Sequence, residues 1–143
     1  MANALYDLGR EAFLGGDLDW DAHNIKVGLI DNADYTVNLA THDFFNDVAA
    51  DLTPSGGADA LVAISGNFAN KTKTAGVADA DDITLSTVSG DVSESLVIFR
   101  DTANVATSTL IAYIDTATGL PVTPNGGDII IQWDSGANKI FKL

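Results

Sequence analysis

Two stretches in the second half of the chain, Leu96-Val-Ile-Phe99 and Leu110-Ile-Ala-Tyr-Ile114, decide the fold class. Each is apolar at consecutive positions, so a strand built from it must be buried on both faces. Turn-forming stretches flank them, at 89–90, 102–108 and 119–127. We therefore predict two central strands of a sheet, at 95–100 and 110–115.

Outward from this pair, the chain repeats short strand patterns separated by turns. Ile25-Lys-Val-Gly-Leu-Ile30 places Ile25, Val27 and Leu29 on one face, which is the period-two pattern of a strand. Further strands are predicted at 35–39, 60–65, 68–74, 83–88, 128–133 and 138–143. The last of these ends in Lys139-Ile-Phe-Lys-Leu143 without a polar tail, so we expect the C-terminus to be a paired strand. About nine short strands at this spacing are typical of a sandwich or barrel.

Helical periodicity is strongest at the N-terminus, over residues 3–14. The apolar residues of its predicted inner face recur at helical spacing: Leu5, Leu8, Ala12 and Phe13. We expect Asn3 to be the N-cap and Gly15-Gly16 to end the helix. A helix of about 12 residues is marginal alone, so it packs either on its own domain, as we expect, or on a neighbouring subunit. One or two helical turns are also predicted over 41–48, capped by Thr41, before a loop at 49–59.

The predicted fold is mainly β: a two-sheet antiparallel sandwich, jelly-roll-like, with one N-terminal α-helix. No linker or repeat divides the 143 residues. We expect a single domain over 1–143, with a helix or arm at 1–16 and a sandwich body at 17–143.

The charge balance argues against two classes of partner. Seven Lys and Arg face twenty Asp and Glu, for a formal net charge of −13. Nucleic acids and anionic membranes are bound through clustered basic residues, and only Lys71 and Lys73 are close in sequence. No window approaches the roughly 20 apolar residues of a membrane span, and the N-terminus lacks the apolar run of a signal peptide. We expect neither nucleic acid nor membrane as a partner.

Catalytic motifs are missing from the sequence. Without cysteine there is no thiol nucleophile or thiolate metal site, and His23 and His42 are the only histidines. Both lie in polar segments and are expected at the surface. No serine has the Gly-x-Ser-x-Gly frame, and no glycine-rich phosphate loop is present. We predict that the protein is not an enzyme, and we assign no catalytic, cofactor-binding or metal-ligating residue.

Two acidic clusters leave the question of an ion open. Asp17, Asp19 and Asp21 alternate like the opening of an EF-hand loop, but Ala22 and Gly28 then replace its glycine and glutamate. Asp79, Asp81 and Asp82 form the second cluster. Turn and capping roles explain such residues without an ion.

Aromatic residues raise one further alternative. Trp20, Tyr113 and Trp133 could form a platform for a carbohydrate, although core packing is the commoner use of such side chains.

Three segments carry a family resemblance across nearly the whole chain. They are Gly9-Arg-Glu-Ala-Phe-Leu-Gly-Gly-Asp17, Asp34-Tyr-Thr-Val-Asn-Leu-Ala-Thr-His-Asp43 and Leu110-Ile-Ala-Tyr-Ile-Asp-Thr-Ala-Thr-Gly-Leu-Pro-Val-Thr-Pro-Asn-Gly-Gly-Asp128. With Trp20, Trp133 and the C-terminal pentapeptide, they resemble a group of small virion structural proteins of tailed bacteriophages.

The resemblance implies a function without a catalytic site. The expected role is that of a capsid decoration, or cement, protein that binds and stabilises the assembled head. The expected partner is the major capsid protein. We expect the protein on the outer capsid surface of a virion that is assembled in the host cytoplasm, and we expect it to be a homotrimer. The alternative is a tail- or fibre-associated module that recognises a host-surface glycan.

Overall fold

A computed structural model describes residues 3–143. Its strands and its helix are, in chain order, β1 (Ala4–Leu5), α1 (Asp7–Gly15), β2 (Ile25–Ile30), β3 (Leu61–Ile64), β4 (Val77–Ala78), β5 (Ile83–Leu85), β6 (Ser95–Arg100), β7 (Leu110–Ile114), β8 (Ile129–Ile131) and β9 (Phe141–Lys142). Single 3₁₀ turns lie at Phe45–Asp47 and Thr74–Gly76.

The strands form one large antiparallel sheet and two small ones. The large sheet has five strands in the order β1-β7-β6-β2-β3, and β4 pairs with β9 and β5 with β8. All these pairs are antiparallel. The predicted class, mainly β with antiparallel sheets and one helix, is therefore confirmed. The two double-sided apolar stretches are β6 and β7, which lie inside the large sheet as predicted.

Each face of the five-stranded sheet packs against its own hydrophobic core. On one face, Ile25, Val27 and Leu29 of β2 pack with Ile83 of β5 and Ile131 of β8. Their common orientation confirms the period-two pattern read from the sequence. On the other face, Ile30, Val97 and Phe99 pack beneath residues of the connection between β2 and β3, which include Tyr35 and Phe45. The sheet is thus covered on both sides, by the two small sheets and by a largely irregular segment.

The N-terminal helix is present but shorter than predicted. It begins at Asp7, and Tyr6 precedes it without a side-chain capping bond. The prediction that Asn3 caps the helix is wrong: its Oδ1 accepts the backbone N–H groups of Asp115 and Thr116, at 3.0 and 2.9 Å. Residues 4–5 instead pair with β7, because a sheet edge satisfies their backbone groups better than a fraying helical turn does. The C-terminal end agrees with prediction, since Gly16 adopts the left-handed conformation at φ 81°.

Gly9 explains how closely α1 lies to the sheet. A Cβ atom at this position would come within 2.5 Å of the Leu110 carbonyl oxygen and 3.1 Å of the Ile111 Cα. Only glycine permits this approach. Gly9 weakens the isolated helix, but it allows the helix backbone to pack directly against β7. The segment is part of the body and not a detached arm.

Several local predictions are wrong. Residues 35–39 form no strand, because the side chains of Asn38 and His42 bond to backbone N–H groups in a turn. Residues 68–74 contribute only an isolated bridge between Thr72 and Asp79, and Asn70, at φ 52°, interrupts an extended path. Of the one or two helical turns predicted over 41–48, one is present, as the 3₁₀ turn at Phe45–Asp47. The Asp47 carboxylate holds its start, accepting the N–H groups of Asp43 and Phe44, and Thr41 is not the cap.

Strands β3, β5, β7, β8 and β9 are shorter than predicted, β2 and β6 have the predicted bounds, and β4 was not predicted. β5 ends at Leu85 rather than at 88, and Thr87 follows with a positive φ of 50° that a strand does not allow. The C-terminus is a paired strand, as predicted: Phe141 lies opposite Ala78 and Lys142 opposite Val77.

Candidate functional site

The two histidines lie apart and serve local structure. The Nδ1 atom of His23 accepts the backbone N–H of Asp19 at 3.0 Å. His42 is half-buried, and its Nδ1 lies 3.0 Å from the hydroxyl of Tyr35. We expected both side chains at the surface, and the structure places both in partly buried positions. Within residues 3–143, neither ring bonds to a serine hydroxyl, so the pairing that activates a serine nucleophile is not formed there.

His42 belongs to a buried chain of hydroxyl groups. The hydroxyls of Tyr6 and Tyr35 are 2.8 Å apart, and Tyr35 continues the chain to His42. Burial raises the pKa of Tyr6 far above its usual value. Burial also raises the pKa of Tyr35 to about 12, although its hydrogen bond with Tyr6 acts in the opposite direction. Both phenols stay protonated near neutral pH, and their hydrogen bonds tie Tyr35, in the segment after β2, to Tyr6 next to β1.

The first acidic cluster is held by hydrogen bonds and by a lysine. The Asp19 carboxylate accepts the backbone N–H groups of Ala22 and Asp21, which lowers its pKa. The Nζ atom of Lys73 lies 2.9 Å from Asp21 and 3.9 Å from Asp19. This is a turn with a charge-compensating lysine, in which the carboxylates of Asp19 and Asp21 face protein donors.

Two carboxylates of the second acidic cluster likewise accept hydrogen bonds from other protein groups. Asp81 accepts the side-chain amide of Asn70 at 2.6 Å, and Asp82 accepts the backbone N–H of Trp133 at 3.0 Å. Across residues 3–143, no three His, Asp or Glu side chains are arranged to hold a metal ion.

The aromatic residues considered for carbohydrate binding are largely internal. Trp20 is buried and packs edge-on against Phe68 and Phe141, at centroid distances of 5.9 and 5.3 Å. Tyr113 is buried in the second core. Trp133 is half-buried, lies 5.5 Å from the Phe68 ring and donates its indole N–H to the Asp81 carbonyl. Trp20 and Tyr113 therefore serve core packing.

The clearest surface feature is an apolar groove where the two ends of the chain meet. We call it the N–C groove, and its volume is about 250 Å³. It is lined by Phe13, Gly16, Leu18, Asp19, Trp20, Lys73, Gly76, Ala78, Phe141 and Leu143. Helix α1 supplies the Phe13 side of the groove, and the pairing of β9 with β4 supplies Phe141 and Ala78. The rings of Phe13 and Phe141 are 5.9 Å apart and join the two ends of the chain.

Two exposed leucines lie at this groove. Leu143 is 57% exposed, and Leu14, next to Phe13 in the helix, is 89% exposed. The charged residues of the lining are Asp19 and Lys73, and Lys73 also lies 2.9 Å from Asp21, so one lysine partly offsets two carboxylates. The lining is thus mostly apolar on a chain of net charge −13. Such a surface is suited to contact another protein.

The sequence left a neighbouring subunit open as a partner of the N-terminal helix, and it did not predict that the C-terminus takes part in this groove. One signal was available: Leu14 lies outside the face formed by Leu5, Leu8, Ala12 and Phe13, so it is an apolar residue on the outer side of the helix.

No known protein-family model matches the chain, and no curated protein sequence matches it significantly. The helices described within residues 3–143 are too short or too polar to cross a membrane.

Proposed function

We propose that this chain is a virion structural protein of a tailed bacteriophage, most specifically a non-enzymatic capsid decoration protein that binds the assembled head and stabilises it. The observation that carries the proposal is the N–C groove, with Leu14 and Leu143 exposed beside it. The proposed partner is the major capsid protein, and the proposed place is the outer capsid surface.

The charge of the chain restricts which surface could mediate self-association. Three chains of charge −13 repel one another, so a shared interface should be depleted in unpaired carboxylates. At the N–C groove, Lys73 partly offsets the carboxylates of Asp19 and Asp21, and most of the lining is apolar. Burying Leu14 on a neighbour would contribute roughly 1.5–3 kcal/mol per chain. A closed trimer is proposed, because closed symmetry lets a small domain repeat a weak contact.

The finer architecture belongs to the same proposal. A two-sheet sandwich with a jelly-roll-like path would place the five-stranded sheet in one layer and the β4–β9 and β5–β8 pairs in the other. The shared core of Ile25, Val27, Ile83 and Ile131 supports this arrangement. The alternative function, a tail- or fibre-associated module for a host glycan, is less well supported because Trp20 and Tyr113 are buried.

Sedimentation of single-residue variants tests the interface. Leu14→Ser removes an exposed side chain and leaves the monomer core intact, so it should weaken trimer formation about tenfold or more. Ile130→Ser is the matched control, because Ile130 is 68% exposed but lies on β8 outside the groove lining. A monomeric parent protein, or equal weakening by both variants, would contradict the proposed interface.

Binding to undecorated phage heads tests the function. Added protein should saturate the heads in hundreds of copies and raise their resistance to heat, and Leu14→Ser should reduce this protection. Recovery of only a few copies per virion, all at the tail, would refute the decoration role.

A further inference from the structure

The five-stranded sheet has an open edge at β3. The Ser65 N–H donates to the Val27 carbonyl at 2.9 Å, and Ala63 lies opposite Leu29, two residues further along each strand. Bonded residues alternate in an antiparallel pair, so both backbone groups of Ile64 and the C=O of Val62 point away from β2. The register shifts by one residue between Ala63 and Leu61, so the Val62 N–H does not belong to the open edge. Among residues 3–143, no strand pairs with this second edge. Only the end of the edge is closed, where the Ser55 N–H donates to the Leu61 carbonyl at 3.1 Å.

This edge forms one wall of a groove of about 340 Å³, distinct from the N–C groove. We call it the β3 groove, and it is lined by Pro54, Ser55, Gly56, Val62, Ala63, Ile64, Leu85, Ser86, Thr87, Val88 and Ser89. The edge is recessed, since Val62 and Ala63 are buried and Ile64 is half-buried. A flat protein surface cannot reach it, whereas a single extended chain can.

The side chains of β3 hold the edge in place. Leu61 packs into one core and Val62 into the other, so the strand is anchored on both faces of the sheet. A peptide that pairs with it therefore meets a preorganised edge.

Charge around the β3 groove has one sign. No lining residue is charged, but three carboxylates adjoin its walls. Asp59 accepts the Ser55 hydroxyl at 3.0 Å, and Asp128 accepts the Thr87 N–H at 2.9 Å. Asp91 lies beside Gly57, where a Cβ atom would come within 2.5 Å of its carboxylate.

We infer that the β3 groove binds an extended peptide segment of another protein, which adds a strand to β3 and carries Lys or Arg near its ends. Main-chain hydrogen bonds to Val62 and Ile64 provide the pairing, and the surrounding carboxylates select the basic flanks. A second copy of the chain is a poor occupant, because pairing β3 with β3 would bring two sets of these carboxylates together. The inference is independent of the N–C groove and of the capsid role.

The test uses the full chain and three synthetic peptides, followed by amide NMR and hydrogen exchange. The probe is acetyl-Lys-Thr-Val-Thr-Val-Lys-amide. The first control replaces both lysines by glutamates, and the second methylates the four central amide nitrogens of the basic peptide. The basic peptide should slow exchange at Ile64 and bind about tenfold more tightly than the acidic one. The methylated peptide should not bind, because it lacks the central donors.

Matched protein variants separate charge from general effects. Asp91→Asn should weaken the basic peptide about threefold, since this substitution removes one adjoining charge. Glu11→Gln removes the same charge on α1, which packs on β7 toward the opposite edge of the sheet, and should have no effect. Unchanged exchange at Ile64, equal binding of the acidic peptide, or binding of the methylated peptide would overturn the inference. So would protection of the Ile64 amide that rises with protein concentration alone, because that would identify a second copy as the occupant.

Discussion

Replacing Phe141 by Ala removes the main contact between the C-terminal strand and the rest of the fold. The Phe141 ring lies 5.3 Å from the Trp20 ring, edge-on, and 5.9 Å from the Phe13 ring. Its backbone pairs with Ala78 of β4. The substitution keeps this backbone pairing and deletes the ring, so it isolates the contribution of the side chain.

The expected loss follows from burial and ring contacts. Burying a whole phenylalanine side chain contributes roughly 1.5–3 kcal/mol, and Phe141 is only half-buried. Each aromatic pair adds about 0.5–1.5 kcal/mol. Together these contributions predict a decrease of about 2–4 kcal/mol in the free energy of unfolding. For a chain of this size, the melting temperature should fall by roughly 6–16 °C.

Chemical denaturation followed by tryptophan fluorescence measures this loss, because Trp20 lies against the deleted ring. Lys142→Ala is the control: the neighbouring side chain is exposed, and the change should cost less than about 0.5 kcal/mol. A loss below about 1 kcal/mol for Phe141→Ala, or equal losses for the two variants, would show that the C-terminal strand is not packed as described.

Two further perturbations test the other packing contacts. Gly9→Ala should destabilise the fold by roughly 1–3 kcal/mol, because the new Cβ would meet the Leu110 carbonyl. This cost should exceed the gain from the higher helix propensity of Ala. Thermal unfolding measures the difference, and an increase in stability would refute the close contact of α1 with β7. The pKa of Tyr35 is raised from 10.0 to about 12 in the fold, so its contribution to stability is complete below pH 10 and is lost as the pH rises from 10 to 12. The melting temperature of Tyr35→Phe should therefore fall less steeply over that range than that of the parent protein, and parallel curves would contradict the buried position of this phenol.

Local sequence pattern determined the class of fold and its most regular parts. The consecutive apolar residues of β6 and β7 required burial on both faces, and the alternation in β2 assigned Ile25, Val27 and Leu29 to one side. These properties depend on the period of side chains along a strand, which is a local quantity. The apolar C-terminal residues likewise predicted a paired strand, and the glycines after the helix predicted where it ends.

Contacts between distant segments decided the remaining features, and no local pattern carries them. Residues 4–5 became a strand because the edge of β7, more than a hundred positions away, accepts their backbone groups. The 35–39 segment failed to form a strand because local side-chain bonds and the burial of Tyr35 satisfied it without a partner strand. The N–C groove exists because segments distant in sequence pack together, and the edge of β3 is open because no other strand of the described residues pairs with it. Both features depend on the burial and hydrogen bonding of the whole fold, to which each segment contributes only a part.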